Sequence, residues 1–136
     1  MASLAWTNNY IGIPFKAHGR SLIDGCDCWG LARIIEKEHY EKELPSLDDT
    51  YGELIGKDLS ELVYHRKILY EEHKTPVEGD LVLMRVLGNP CHIGVYVWDG
   101  FMLHSDPVGR GTSRIERLSS GRIAPYIEGY YSATTS

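Results

Sequence analysis

The strongest helical pattern of hydrophobic and polar positions covers Cys28–Lys42. Apolar residues recur there three and four positions apart, which aligns their side chains on one face of an α-helix. We expect Leu31, Ile34 and Ile35 to form a buried stripe on that face. Leu44-Pro45 ends the helical region, because the residue before a proline disfavours helical backbone.

Two shorter stretches of the first half also favour helix, namely Ala5–Tyr10 and Asp58–Tyr64. The segment Phe15–Asp27 is predicted to be extended or looped, with turn signals at Gly19 and Asp24-Gly25. Asp48–Gly56 has the composition of a loop. The first half of the chain is therefore predicted to be mainly helix and loop.

The second half has short runs of apolar, β-branched and aromatic residues separated by turn signals, which is typical of strands. The predicted strands are Lys67–Glu72, Leu81–Val86, His92–Trp98, Phe101–Ser105, Ser113–Leu118 and Ile127–Tyr131. The first of these also fits a continuation of the preceding helix. Gly88-Asn89-Pro90 is predicted to be a turn, and Asp99-Gly100 is a hairpin signal. Helices followed by strands indicate an α+β fold, with N-terminal helices packed on a central antiparallel sheet.

Length and charge limit the classes of protein. The 136 residues fit one domain, 1–136, large enough to bury a core. The formal net charge is −5 and basic residues form no stripe, so we expect no nucleic-acid partner. The longest apolar runs are too short to span a bilayer, so we expect no membrane insertion. Met1–Gly12 lacks a basic segment and a long apolar stretch, so we expect no cleavable signal peptide.

The three cysteines, Cys26, Cys28 and Cys91, suit a reducing compartment better than a disulfide framework, because an odd count leaves one thiol unpaired. Asp27 is a good N-cap residue and would place Cys28 in the first turn of the long helix. Helix N-termini favour the thiolate form of cysteine. Cys28 is therefore a candidate nucleophile, whereas burial as a small core residue is the alternative.

Two histidines strengthen the catalytic interpretation. His92 begins one predicted strand and His104 lies near the end of the next, after the Asp99-Gly100 turn. A tight hairpin brings the start of one strand beside the end of the other. We therefore expect the rings to be neighbours, with His92 as the base for Cys28 and His104 as the group that orients it.

Zinc binding is the competing chemistry, because Cys26, Cys28, Cys91 and His92 are all zinc-type ligands. The C-x-C spacing is uncommon beside C-x-x-C. Cys91 and His92 are adjacent, and adjacent residues of a strand point to opposite faces. We therefore favour the catalytic interpretation and expect neither a metal nor another cofactor.

Four motifs resemble those of the NlpC-type cysteine peptidases, papain-like enzymes that cleave bacterial cell-wall murein. The family pattern D-C-S-G-L is matched by Asp27–Leu31, and G-D-L-V-F by Gly79–Leu83. The H-V-G-I-Y strand is matched within Cys91–Tyr96, and the third polar residue by the last residue of Phe101–His104. The likeness extends from about Tyr10 to Tyr131 and implies the catalytic set Cys28, His92 and His104.

One branch of this family is more similar still. The pattern D-C-W-G-L resembles the K-type tail-tip proteins of lambda-like phages, as do Ile11–Pro14, Gly19-Arg20, Glu43–Pro45 and Ile127–Tyr131. This resemblance implies a murein endopeptidase located in the virion tail, made in the host cytoplasm and acting at the cell wall. It implies peptidoglycan and other tail-tip proteins as partners.

Some positions leave alternatives open. Trp29 either lines a substrate cleft or fills the core, and with His18 it is our candidate substrate-binding residue. Phe15 stands where many family members have a tyrosine whose hydroxyl lies near the nucleophile. This departure motivates the alternative of a catalytically silent structural subunit of the tail tip. A host amidase or acyltransferase on the same fold is disfavoured, because permuted relatives place His before Cys.

Overall fold

Helix α1 (Cys28–Glu38) carries the candidate nucleophile at its first residue. The computed structural model describes residues 5–16, 19–44, 69–86, 89–105 and 111–133. Asp27 caps the helix as predicted, because its Oδ1 accepts a hydrogen bond from the Gly30 amide at 2.8 Å. Leu31 and Ile35 of the predicted stripe are buried, and the partly buried Ile34 packs against the same core.

The helix is shorter than the sequence predicts, because it ends at Glu38 rather than at Lys42. Glu41 has a positive φ of 59°, which turns the chain out of helical geometry. After this turn the Lys42 amide donates to the Glu36 carbonyl at 2.8 Å. The ring of Tyr40, just before this turn, packs over Gly79, a tertiary contact that local sequence does not reveal.

Within the described ranges, six strands form one antiparallel sheet: β3 (Leu69–His73), β4 (Leu81–Val86), β5 (Asn89–Trp98), β6 (Phe101–Ser105), β7 (Ser113–Arg117) and β8 (Ile127–Ala133). Their order in the sheet is β3-β8-β4-β5-β6-β7. A separate two-stranded hairpin, β1 (Arg20–Ser21) and β2 (Gly25–Cys26), precedes α1. This arrangement confirms the predicted α+β fold with a central antiparallel sheet.

Strand β5 corrects one prediction, because it begins at Asn89, inside the segment predicted to be a turn. Asn89 pairs with Val86 and Pro90 pairs with Arg85. Proline fits here because the ladder is interrupted by a bulge directly after it, where a missing amide is tolerated.

The remaining helical predictions have mixed outcomes. Ala5–Tyr10 is a 3-10 helix, as expected for a short helical stretch. The predicted helix Asp58–Tyr64 and the predicted loop Asp48–Gly56 lie outside the described residues. Within the described ranges, no helix is long and apolar enough to cross a membrane.

The β5–β6 hairpin has the turn that its sequence predicts. Asp99 and Gly100 both have positive φ, 54° and 84°, as a tight two-residue hairpin turn requires. Beyond the turn Val95 pairs with Leu103, and Tyr96 pairs with Met102. A bulge between Tyr96 and Trp98 shifts the register by one residue after the turn, and the pairing that follows brings the start of β5 beside the end of β6.

Apolar cores lie on both faces of the sheet. Helix α1 packs on one face, across β5 and β6. Its core includes Cys28, Trp29, Leu31, Ile35, Leu81, Leu83, Ile93, Val95 and Leu103. A smaller cluster contains Val82, Met84, Met102 and Ile123. Burial on both faces makes the sheet a rigid platform for side chains on its central strands.

A buried hydrogen bond connects β6 to the segment just before α1. The hydroxyl of Ser105 donates to the carbonyl of Cys26 at 3.0 Å. Both residues have no exposed surface. Because Cys26 lies two residues before Cys28, this bond fixes the start of α1 relative to the end of β6.

Glu36 is a buried carboxylate on α1 whose two oxygens have no hydrogen-bond partner. Burial is the main cause that raises its pKa to about 8; nearby Lys42 lowers it and Asp80 raises it further. The folded protein therefore keeps a proton that the unfolded chain releases above about pH 4.5. This contribution to stability is present at low pH and is lost as pH rises from about 4.5 to about 8.

We expect Glu36→Gln to be more stable than wild type at pH 9, by about 2 kcal/mol, because it removes the charge but still buries a polar amide. At pH 5 the two proteins should differ little. Urea unfolding at pH 5, 7 and 9 measures the difference. Glu43→Gln, an exposed carboxylate replacement, is the control. Parallel pH profiles for wild type and Glu36→Gln would contradict the prediction.

Candidate active site

Cys28 is the first residue of α1 and retains a small exposed fraction of 8%. The preceding Asp27 is itself held by Arg20, whose Nη1 lies 3.0 Å from Asp27 Oδ1. The same oxygen accepts the Gly30 amide, so the cap is fixed from two sides. The thiol thus lies at the positive end of the helix dipole, where a thiolate is stabilised.

Glycines allow the chain to pack tightly around the start of α1. A Cβ on Gly30 would lie 2.1 Å from the carbonyl oxygen of Gly19, and this distance is too short for any side chain at position 30. A Cβ on Gly19 would in turn lie 2.3 Å from the carbonyl oxygen of Gly25. Backbone from the β1–β2 hairpin therefore presses directly against the first turn of the helix.

The two predicted histidines are neighbours, as the hairpin argument requires. His92 Nε2 lies 2.8 Å from His104 Nδ1, and the ring planes meet at 71°. Both side chains are buried. A bulge at Cys91 directly precedes His92, because Met84 pairs with His92 while Arg85 pairs with Pro90. Bulges re-aim the following side chain and are frequent beside active sites.

Gly94 provides room for the second ring. A Cβ at this position would lie 3.2 Å from His104 Cβ and 2.9 Å from Met102 Sδ. The glycine of the His-Ile-Gly strand motif is thus explained by packing beneath His104.

The two strands that carry these histidines also contribute residues to the core around Cys28. Cys28 belongs to the same buried cluster as Ile93 and Leu103, which adjoin His92 and His104 in the chain. Helix α1 packs on the two strands that carry the histidines. The fold therefore assembles the thiol-bearing helix start and the paired imidazoles on adjoining elements.

Glu116 on β7 extends the pair to a chain of three groups. Its Oε1 lies 2.8 Å from His104 Nε2 and accepts the Nε–H of Arg114 at 2.7 Å. Arg122 Nε lies 3.5 Å from Glu116 Oε2. Burial raises the pKa of Glu116, but the hydrogen bonds and charges of His104 and Arg114 outweigh it, and the net pKa lies below the ordinary value.

Sequence reasoning missed Glu116. The register places Met102 opposite Glu116 and His104 opposite Arg114, so Glu116 is diagonal to His104 across the ladder. Alternation along the predicted strand Ser113–Leu118 puts Arg114 and Glu116 on one face, which is a usable signal. The partner, however, depends on a register that the β6–β7 connection does not specify locally.

Of the two candidate substrate-binding residues, only Trp29 lies within the described ranges. Trp29, the second residue of α1, has no exposed surface and packs in the core, which favours the core alternative over a cleft-lining ring. Helical position alone cannot tell a cleft-lining ring from a core ring. His18 lies outside the described residues. Phe15 is half-buried, and its backbone forms an isolated bridge with Cys26.

Cys26 differs from Cys28 in its environment. Burial raises the pKa of the Cys26 thiol to about 12, with a further contribution from the Asp27 charge. Cys26 is therefore an unreactive packing residue at neutral pH. Across the described ranges, no three His, Cys, Asp or Glu side chains are grouped as metal ligands; the Cys91 side chain lies outside that description.

One family model matches most of the chain. The model described as the NlpC/P60 family matches residues 12–132. No curated protein matches the chain.

Solved structures share the fold at low sequence identity. An NlpC/P60 family protein from Bacillus cereus has a TM-score of 0.61 at 22% identity, over 90% of this chain and 36% of that one. A lipoprotein-like NLP/P60 family protein from Staphylococcus aureus has a TM-score of 0.64 at 18% identity, over 98% and 41%. The NlpC/p60 domain of the peptidoglycan hydrolase SagA has a TM-score of 0.57 at 19% identity, over 95% and 94%. This chain thus spans about two fifths of the first two proteins and nearly all of the third domain.

Proposed function

The chain belongs to the NlpC/P60 family, and from this premise we propose that it is a cysteine peptidase that hydrolyses amide bonds in peptidoglycan stem peptides. Members of the family are cysteine peptidases and peptidoglycan hydrolases, and one similar domain comes from a peptidoglycan hydrolase. The observation that carries the proposal is the buried 2.8 Å contact between His92 and His104, on strands covered by the helix that begins at Cys28. A base with an orienting partner is what a thiol nucleophile requires.

In the proposed reaction, His92 takes the proton of Cys28 and the thiolate attacks the carbonyl carbon of the stem-peptide amide. A carbon–sulfur bond forms, and the carbon–nitrogen bond breaks as His92 returns the proton to the leaving amine. Water, deprotonated by His92, then hydrolyses the thioester and regenerates the thiol. His104 keeps the ring of His92 in the required orientation. The positive end of the α1 dipole stabilises the thiolate.

Murein digestion by wild type and Cys28→Ala tests the proposal. Wild type should release muropeptides, and Cys28→Ala should release none above background, because the nucleophile is gone. Cys26→Ala is the matched control, since it removes a buried thiol that is two residues away and unreactive. Thermal melts confirm that each variant is folded. Equal release by wild type and Cys28→Ala would reject the mechanism.

We further propose that this peptidase acts at the tip of a phage tail. The proposal is supported by the motif likeness described above, in particular Ile11–Pro14, Glu43–Pro45 and Ile127–Tyr131. Mass spectrometry and antibody labelling of purified particles from a host that carries the gene test the location. The protein should be found at tail tips; particles without it would reject the tail-tip role and leave the peptidase proposal standing.

A catalytically silent structural subunit is the alternative that Phe15 motivates, because its ring lacks the hydroxyl that many relatives have near the nucleophile. Iodoacetamide separates the two functions. In the catalytic case Cys28 reacts near neutral pH much faster than a small free thiol, as peptide mapping by mass spectrometry can follow. A rate no higher than that of the free thiol supports the silent subunit.

A further inference from the structure

The chain His92–His104–Glu116 ends in a carboxylate that holds no proton at neutral pH. Three groups with positive or donor character face that carboxylate: His104 from β6, Arg114 from β7 itself, and Arg122 from the turn that follows. These contacts hold the pKa of Glu116 below its ordinary value despite partial burial. An ionised carboxylate can only accept hydrogen bonds.

This restriction fixes the proton positions on both rings. Because Glu116 only accepts, Nε2 of His104 must carry the hydrogen and donate it. A neutral His104 then has an unprotonated Nδ1, which accepts from Nε2–H of His92 at 2.8 Å. In a neutral His92, Nδ1 is therefore the nitrogen without a hydrogen, and Nδ1 is the atom that can accept the proton of a thiol.

We propose that Glu116 is a positioning residue which, acting through His104, sets the tautomer in which His92 accepts the proton of Cys28. This inference rests on the proposed cysteine peptidase function and extends it by a fourth group. Glu116 does not touch the reacting atoms.

The same chain acts again after the proton has moved. The imidazolium of His92 keeps its Nε2–H bond to His104, and the carboxylate charge at the far end offsets the new positive charge. Without Glu116, His104 can instead carry its hydrogen on Nδ1 and donate it to His92. His92 would then be protonated on Nδ1 and could not act as the base in that form.

Nitrogen-15 spectra of the imidazole rings test the tautomers without any need for hydrolytic activity. The spectra are recorded at pH 8 in the Cys28→Ala background, because removal of the thiol keeps His92 from forming an ion pair with it. We expect both rings to carry hydrogen on Nε2 when Glu116 is present. Adding Glu116→Leu should produce a mixture or the Nδ1–H form. A His92 that carries hydrogen on Nδ1 while Glu116 is intact would overturn the proposal.

Kinetics with the thiol present provide the second readout. We expect Glu116→Leu to lower kcat and the rate of Cys28 alkylation by about 100-fold with KM little changed, within the range for loss of a general base. Glu116→Gln should lose less than about tenfold, because its amide oxygen can still accept from Arg114 and His104. Glu128→Gln, which breaks a carboxylate–Arg85 pair on another strand, is the matched control and should retain full activity.

The outcomes separate the two proposals. Unchanged tautomers and unchanged alkylation in Glu116→Leu overturn the role of Glu116, even if the wild type digests murein. A wild type that digests no murein but shows the expected tautomers and the expected drop in alkylation rejects the peptidase proposal. That result would still support the role of Glu116 in activating the thiol.

Discussion

Gly30→Ala is expected to destabilise the protein by more than about 4 kcal/mol, beyond the usual cost of overpacking. The added Cβ would lie 2.1 Å from the carbonyl oxygen of Gly19, and this neighbour is backbone rather than a flexible side chain. Gly19 has no space to yield, because it is packed against the carbonyl of Gly25. The first turn of α1 or the β1–β2 hairpin must therefore move. Urea unfolding of both proteins measures the loss.

Gly121→Ala is the matched control, because a Cβ there meets no atom within 4 Å. The free energy of unfolding of this variant should differ from that of wild type by less than about 1 kcal/mol, the range for glycine replacement at a compatible site. If Gly30→Ala folds poorly, its soluble fraction and far-ultraviolet circular dichroism replace the unfolding midpoint as readout. A Gly30→Ala protein with a wild-type midpoint would show that the contact with Gly19 does not constrain the helix start.

The features that the sequence predicts correctly are those set by local interactions. The cap at Asp27 and the start of α1 follow from residues within one turn of each other. The Asp99-Gly100 turn joins β5 to β6, and His92 and His104 meet as the hairpin pattern predicts, although a bulge between Tyr96 and Trp98 shifts the register by one residue. The cap and the turn need only short-range geometry.

The features that the sequence does not predict depend on tertiary contacts. The end of α1 at Glu38 is accompanied by packing of Tyr40 over Gly79, far along the chain. Trp29 lies on a helix face whose depth in the molecule depends on the sheet beneath it. Glu116 reaches His104 only through the β6–β7 register, which no tight turn signal specifies. Part of the candidate site was therefore predictable, and its extension by Glu116 was not.

His92→Ala is expected to lower kcat/KM for murein by at least about 1,000-fold, because it removes both the proton acceptor for Cys28 and the proton donor for the leaving amine. The rate of Cys28 alkylation near neutral pH should fall with it, since the thiolate loses its imidazolium partner. His104→Ala should have a smaller effect, about 100-fold, because the base remains and only its orientation is lost. Release of muropeptides and mapped alkylation of Cys28 measure both effects.

The order of these two losses distinguishes a base with an orienting group from two equivalent histidines. His104 lies between His92 and Glu116, with one ring nitrogen engaged by each. It therefore has no nitrogen left for the thiol, and only His92 can exchange a proton with Cys28. His39→Ala, which removes an exposed ring stacked on Trp6 at 3.6 Å, controls for loss of a histidine elsewhere. If His104→Ala lost more activity than His92→Ala, the roles of base and orienting group would have to be exchanged, and the tautomer chain from Glu116 would end at the base itself.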